Sequence, residues 1–285
     1  MNNTAKGLLW VVLSGLFFVF FIASIRYVGS NMPAVEAAFL RYLISIIILI
    51  PLIPRNKFSM LRTRHLPRYA LRGFVHALGV MLWFFAITRI PIAEATALNF
   101  TSPIFAAIGA ILFLHEKATW TRVLAIVIGF VGVLIIIRPG SQVLNLGALA
   151  VLLSAPLFAV SKLLVKTLVI EDSSMTTVIY LSIFATLTML VPAIYVWVAP
   201  SIQDLLLLVV AAALATASHY CLAQGLKLID VLVAQPADYL QLVWSTLMGM
   251  ILFAEQPVMW VWVGGAVIIC GVVSIARLEA VRDKA

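Results

Sequence analysis

Apolar residues run along this chain in stretches of about twenty, each closed by a few polar or proline positions. A helix crossing the hydrocarbon of a bilayer needs roughly 20 such residues at about 1.5 Å each. Ten stretches of that kind can be drawn, at residues 7–28, 34–54, 71–90, 92–115, 119–137, 146–168, 175–199, 204–228, 231–254 and 258–277. Several connections are very short ("TRIP", "HEKAT", "LID", "EQP"), so consecutive helices are expected to be antiparallel neighbours. Pro33, Pro91, Pro139, Pro200 and Pro257 fall at these boundaries, where a missing N–H costs little. The pattern predicts an all-α polytopic membrane protein of ten transmembrane helices.

Composition agrees: 64% of the 285 residues are hydrophobic and 11% charged, against about 45–50% and about 25% in soluble domains. Cys221 and Cys270 lie in apolar runs without metal spacing and read as small core residues. The net charge of +8 does not imply nucleic acid, because its residues sit in short loops where they act as topology signals. With the N-terminus inside, fifteen of the 19 Lys and Arg, including Lys162, Lys166, Arg72 and Arg122, fall on the inner side; Arg26, Arg89 and Arg138 fall outside, and Arg41 lies within a span. Both termini are therefore expected in the cytosol. The first apolar run exceeds a signal-peptide core and reads as a retained helix.

The chain repeats itself. "GLLWVVLSGLFF" lies on "GALAVLLSAPLF" without a gap, Ser14 meeting Ser154, Phe18 meeting Phe158 and, further on, Arg26 meeting Lys166. Later an offset of 139 pairs Glu116 with Glu255 and Gly132 with Gly271. Two halves follow, 1–140 and 141–285, each of five helices. An odd number makes the second half enter the membrane from the opposite side, so the repeats are inverted, an architecture typical of secondary transporters with a midplane site between the halves.

One stretch, "IPIAEATALNFTSPIF" (residues 90–105), is unusually polar for a bilayer segment. Thr96, Asn99 and Ser102 recur at helical spacing; Gln235, Asp238 and Gln241 occupy the matching positions of the second half. Asn99 and Asp238 each lie about eight residues from opposite ends of their helices, roughly 12 Å deep. A polar face at that depth is tolerable only toward protein or a water-filled cavity, so the two stripes are expected to wall a cavity.

"FLRYLISIIILIPL" and "EATALNFTSPIFAAIGAILFLHEKATWTRVLAIVIGFVGVLIII" resemble the second, fourth and fifth helices of EamA-type members of the drug/metabolite transporter superfamily. The resemblance covers essentially the whole chain. It implies a carrier of small metabolites without ATP hydrolysis, often an exporter. "HALGVMLWFFAITRIPIAEATAL" is further similar to a bacterial branch that includes riboflavin importers and S-adenosylmethionine transporters. The second half departs from the pattern: Leu242 stands where Pro103 would repeat, and Pro236 comes earlier.

Among the candidate site residues, Asp238 is the costliest to keep in a span; it binds a substrate cation, carries a coupling proton, or joins two helices by a structural bond. Glu36 and Glu94 near outer helix ends are gate or interface residues, Glu94 alternatively pairing with Arg89. Arg41 contacts an anionic substrate, or binds helix-end carbonyls or Glu36. His76 and His219 titrate near physiological pH and could relay protons, or are satisfied core residues; Trp83, Tyr220 and Gln224 lie along the same segments. Ser14 and Ser154 complete the cavity candidates. Trp10, Phe17, Phe21, Tyr239 and Trp244 stack on a flat substrate if they face inward. Trp197, Trp260 and Trp262 read as interfacial anchors, and Gly129, Gly132, Gly264 and Gly271 as sites of close helix packing.

The sequence thus points to a secondary active carrier, working by alternating access, of an amino acid, a riboflavin-like vitamin or a nucleoside-like compound, with proton coupling as one driving force and no cofactor. No phosphate-binding GxxxxGK[ST] loop is present to use ATP. A passive facilitator or channel is the alternative. An intramembrane enzyme is disfavoured, since "HE" at His115 and Glu116 lacks a second histidine. Partners are a small-molecule substrate and the lipid bilayer, with monomer and homodimer both open.

Overall fold

The computed structural model describes residues 3–28, 32–53, 61–87, 89, 98–137, 146–254, 256 and 259–282. Its helices are α1 (Asn3–Val28), α2 (Ala34–Leu52), α3 (Leu66–Ile87), α4 (Ser102–Phe113), α5 (Trp120–Ile137), α6 (Leu146–Glu171), α7 (Ser174–Tyr195), α8 (Ile202–Leu228), α9 (Val231–Asp238), α10 (Leu240–Phe253) and α11 (Met259–Arg282). Six of them, α1 to α3 and α6 to α8, are long and apolar enough to cross a membrane. Large apolar side chains such as Phe113, Ile170, Ile194 and Ile251 stand on the outside, as expected where the solvent is lipid.

Local chemistry sets the helix ends. Ser201 caps α8 in a reciprocal capping box with Asp204, and Ser173 accepts the Thr176 N–H at the start of α7. Pro51, Pro156 and Pro192 lie inside helices, which neighbouring helices make tolerable in a membrane bundle.

Two expected elements differ. The segment 231–254 is two pieces, α9 and α10, parted at Tyr239. The backbone there stays helical (φ −65°, ψ −21°), and Leu242 N–H bonds the Tyr239 carbonyl three residues back, so the ladder tightens at this point. Pro236 removes one further ladder donor just upstream. In the segment 92–115 a helix begins at Ser102, with Thr101 as its N-cap. Leu98 and Asn99 are already helical before that cap, and Thr101 keeps helical dihedrals (φ −72°, ψ −19°) while its N–H bonds the Leu98 carbonyl, so Asn99 and Ser102 are parted by a tightened turn; Thr96 lies outside the described residues.

Helix pairing follows a two-fold pattern. α1 packs on α8 and α3 on α6; α2 packs on α8 and α3 on α7; α2 packs on α7 and α5 on α11. Exchanging the first five expected spans for the last five maps these pairs onto one another. A backbone feature obeys the same exchange. Among the described residues, His115 (φ 54°) and Ala254 (φ 51°) are the non-glycine positions at positive φ, and they are 139 residues apart, the offset that pairs Glu116 with Glu255.

The α5–α11 seam is a backbone contact. A Cβ on Gly132 would lie 2.8 Å from the Gly264 carbonyl oxygen, and one on Gly264 would lie 2.5 Å from that of Gly132. Only glycine permits that approach.

Candidate functional site

The centre of the bundle is polar and is built by helices from both halves. His76 on α3 and His219 on α8 meet edge to face, ring centroids 5.4 Å apart. Phe158 on α6 lies 5.4 Å and Tyr42 on α2 6.1 Å from the His76 ring. His76 Nδ1 shares a 3.3 Å hydrogen bond with Ser161 Oγ. Both imidazoles are partly exposed despite their depth, as expected for groups that border a cavity. Beside them, Ser218 Oγ donates to the Ser14 carbonyl at 2.9 Å and lies 3.2 Å from Ser14 Oγ, and Thr216 donates to Ser45 at 2.9 Å. Trp10 stands edge-on to Tyr220.

Asp238 is not a lone carboxylate. Its Oδ2 takes the ammonium of Lys162 from α6, which also reaches Gln235 Oε1 at 3.5 Å. Gln235 anchors its own amide on the Val231 carbonyl at 3.0 Å. Lys162, one of the charges assigned to the inner side by sequence, is drawn into this pair. Because α6 continues to Glu171, Lys162 sits nine residues from its end, about 14 Å along the axis.

One end of the bundle is sealed by charged bonds between the halves. The Glu116 carboxylate, in the loop after α4, accepts the Val231 N–H at 2.8 Å and the Leu232 N–H at 2.9 Å, thereby capping α9 with a negative charge at its N-terminus. Arg122 donates to Asp230 at 3.0 Å. Within the second half, Lys166 donates to the Leu226 and Ile229 carbonyls at the end of α8, at 3.0 and 2.8 Å. At the same end Asp172 accepts from Thr63 (2.6 Å) and Tyr69 (3.0 Å), and Arg72 donates to the Thr177 carbonyl at 2.6 Å. Arg72, Arg122 and Lys166 therefore do structural work as well as carrying the charge asymmetry.

Desolvation raises the Glu116 carboxyl above its ordinary value of 4.5, the two backbone N–H bonds pulling the other way. The folded state thus holds this proton more tightly than the unfolded chain. Stability at this position is greatest below the unfolded pKa and falls as pH rises through the folded one. Glu116→Gln should flatten that slope in denaturation followed from acid to neutral pH. Glu116→Ala should speed hydrogen exchange of the Val231 and Leu232 amides by about tenfold or more, since it removes a charged acceptor from both. Unchanged exchange at those two amides would show that the seal does not depend on the carboxylate.

Other expected site residues are placed differently. Tyr239 is fully buried in the apolar core against Gly129 and Phe100, because the pitch of α9 turns it away from Asp238; it walls no cavity. Ser154 spends its hydroxyl on the Val151 carbonyl of its own helix. Gln224 bonds Tyr220 and Ser174, and Gln241 packs over Gly15 on α1. Trp83 contacts Phe84. Asn99 Oδ1 is buried without a partner. Glu36 accepts the Val198 N–H at 2.9 Å and does not pair with Arg41, whose guanidinium lies over the rings of Tyr42 and Phe21. Glu94 lies outside the described residues. Trp197, Trp260 and Trp262 are about half exposed, as interfacial anchors should be. Among the described residues no group of three or more His, Cys, Asp or Glu gathers to hold a metal.

The EamA-like transporter family matches the chain twice, at residues 5–138 and 145–277. The chain belongs to that family. It is 31% identical to a riboflavin transporter of Vibrio cholerae, over 99% of this chain and 97% of that protein. It is 29% identical to an S-adenosylmethionine uptake transporter of Rickettsia prowazekii, over 90% and 89%, and 25% identical to a pseudopaline exporter of Pseudomonas aeruginosa, over 96% and 97%. A solved crystal structure shares the fold across 99% of each chain at a TM-score of 0.80 and 18% identity. With its apolar helices, this EamA protein is an integral, multi-pass bacterial membrane transporter of small metabolites, and not an enzyme.

Proposed function

We propose that this EamA protein is a secondary active carrier of ten spans, arranged as inverted five-helix repeats over residues 1–140 and 141–285, which alternates access around the His76–His219 and Lys162–Asp238 centre. The observation that carries this reading is a polar centre contributed by α1, α2, α3, α6 and α8 together, lying beyond an end sealed by Glu116 and Arg122 against α9 and Asp230. A carrier needs a site reachable from one side while bonds that can break close the other. The two-fold helix pairing and the matched positive-φ residues support the inverted repeat. On the charge asymmetry of the loops, both termini and the sealed end face the cytosol.

The cargo class supported by the lining is a small metabolite with a flat or amphipathic part: an amino acid, a riboflavin-like vitamin or a nucleoside-like compound. Riboflavin and S-adenosylmethionine, named for the relatives, both fit that class. Coupling to protons would run through release of Asp238 from Lys162. The centre is complete within one chain, which supports a monomer as the working unit.

Uptake into proteoliposomes under an imposed pH gradient, with labelled riboflavin, aromatic amino acids, S-adenosylmethionine and nucleosides, tests this. Saturable uptake of one class that follows the gradient is the expected result. Saturable uptake indifferent to the gradient would remove the proton, and flux that never saturates would replace the carrier by a channel.

A further inference from the structure

Two buried guanidiniums, Arg41 within α2 and Arg72 within α3, face no carboxylate among the described residues. Arg41 is 5% exposed and Arg72 is 2% exposed. Arg72 gives one N–H to the Thr177 carbonyl, and its Nε has no partner. The Arg41 guanidinium carbon lies 3.6 Å from the ring centre of Tyr42 and 5.2 Å from that of Phe21. Four carboxylates of the bundle bond other groups, Glu36 through one oxygen while its buried Oε1 keeps no hydrogen-bond partner. Glu36 accepts from the Val198 amide, Asp172 from Thr63 and Tyr69, Asp230 from Arg122, and Asp238 from Lys162.

An arginine does not shed its proton inside a protein. A guanidinium held within a membrane bundle without a counter-charge is expensive. Ring faces offset part of that cost for Arg41, and the rest calls for an anion. Tyr42, whose ring lies under the Arg41 guanidinium, stands 6.1 Å from the His76 ring, so the Arg41 charge borders the polar centre.

We propose that the transported solute is an organic anion whose carboxylate or phosphate seats on Arg41, its flat apolar part lying against Phe21, Tyr42 and Phe158. This rests on the carrier reading above and adds the charge class of the cargo. Arg72 supplies a second positive charge and does not touch the solute, its reach being spent on Thr177. The fork of a guanidinium suits an oxyanion in two-point contact, and the rings hold the guanidinium plane while they supply stacking surface.

The test uses matched solutes that share a ring and differ in charge: riboflavin 5′-phosphate against riboflavin, and indole-3-acetate against tryptamine. Equilibrium binding to the full chain in lipid nanodiscs is expected to favour the anion of each pair by about tenfold or more, the scale of one charge-assisted contact. Arg41→Gln should abolish that preference and Arg41→Lys should keep part of it. Equal or weaker binding of the anions to the wild-type chain overturns the proposal, whether or not any variant folds. An anion preference that survives Arg41→Gln in a folded protein overturns the assignment to Arg41. Binding of no member of either pair also overturns it, while the separate flux measurement still decides whether the protein is a carrier.

Discussion

Asp238→Ala, made with Lys162 in place, is expected to destabilise the bundle by about 3 kcal/mol, because it leaves a largely buried ammonium without its carboxylate. Lys162→Ala should cost a similar amount by stranding the carboxylate. The double change Lys162→Met with Asp238→Leu should fold far better than either single variant, since it removes both charges and keeps the volume. Unfolding of the detergent-solubilised protein by heat or denaturant would read the three results. A folded double variant without uptake would assign the pair to transport; one with wild-type uptake would reduce it to a brace between α6 and α9. Asp238→Asn gives the finer reading, because the account fails at this residue if uptake and its pH dependence both survive in correctly inserted protein.

Gly264→Ala is expected to disrupt the α5–α11 seam, while Gly265→Ala, one residue away, should be neutral or stabilising. The new methyl at 264 would sit 2.5 Å from the Gly132 carbonyl oxygen and 2.5 Å from the Ile136 side chain. The backbone contact cannot move without parting two helices, so the cost should reach about 1–3 kcal/mol or more. At 265 the methyl meets Val243 at an ordinary 3.7 Å, and alanine is the better helix former by about 1 kcal/mol. Melting temperatures of the two variants in the same detergent would settle the comparison, and equal effects would contradict the backbone seam.

Periodicity made most of the bundle legible. The expected starts of α1, α2, α6, α7 and α8 lie within four residues of those observed, because long apolar runs bounded by proline or charge leave few alternatives. The expected start of α3 came five residues late, which set Arg72 at the edge of the span and concealed its burial. The same kind of error hid Lys162: with α6 drawn to residue 168 its ammonium could snorkel to the headgroups, whereas the observed end at Glu171 leaves it deep enough to need Asp238. The break at Tyr239 was invisible because its dihedrals are helical and only hydrogen bonds change. Sequence symmetry did mark Glu116, through its match to Glu255, but what the carboxylate holds depends on α9 meeting the α4–α5 loop, a contact no local pattern carries. The two histidines were found as polar residues in apolar runs; their meeting across the bundle follows from tertiary pairing alone.

The central claim is that one polar centre is exposed alternately to the two sides, and counterflow in proteoliposomes tests it most directly. Vesicles loaded with unlabelled solute and diluted into a trace of the same labelled solute should accumulate label transiently above equilibrium, because a carrier returns faster when loaded. Label that only equilibrates, at a rate indifferent to what the vesicles contain, would contradict alternating access and describe a channel.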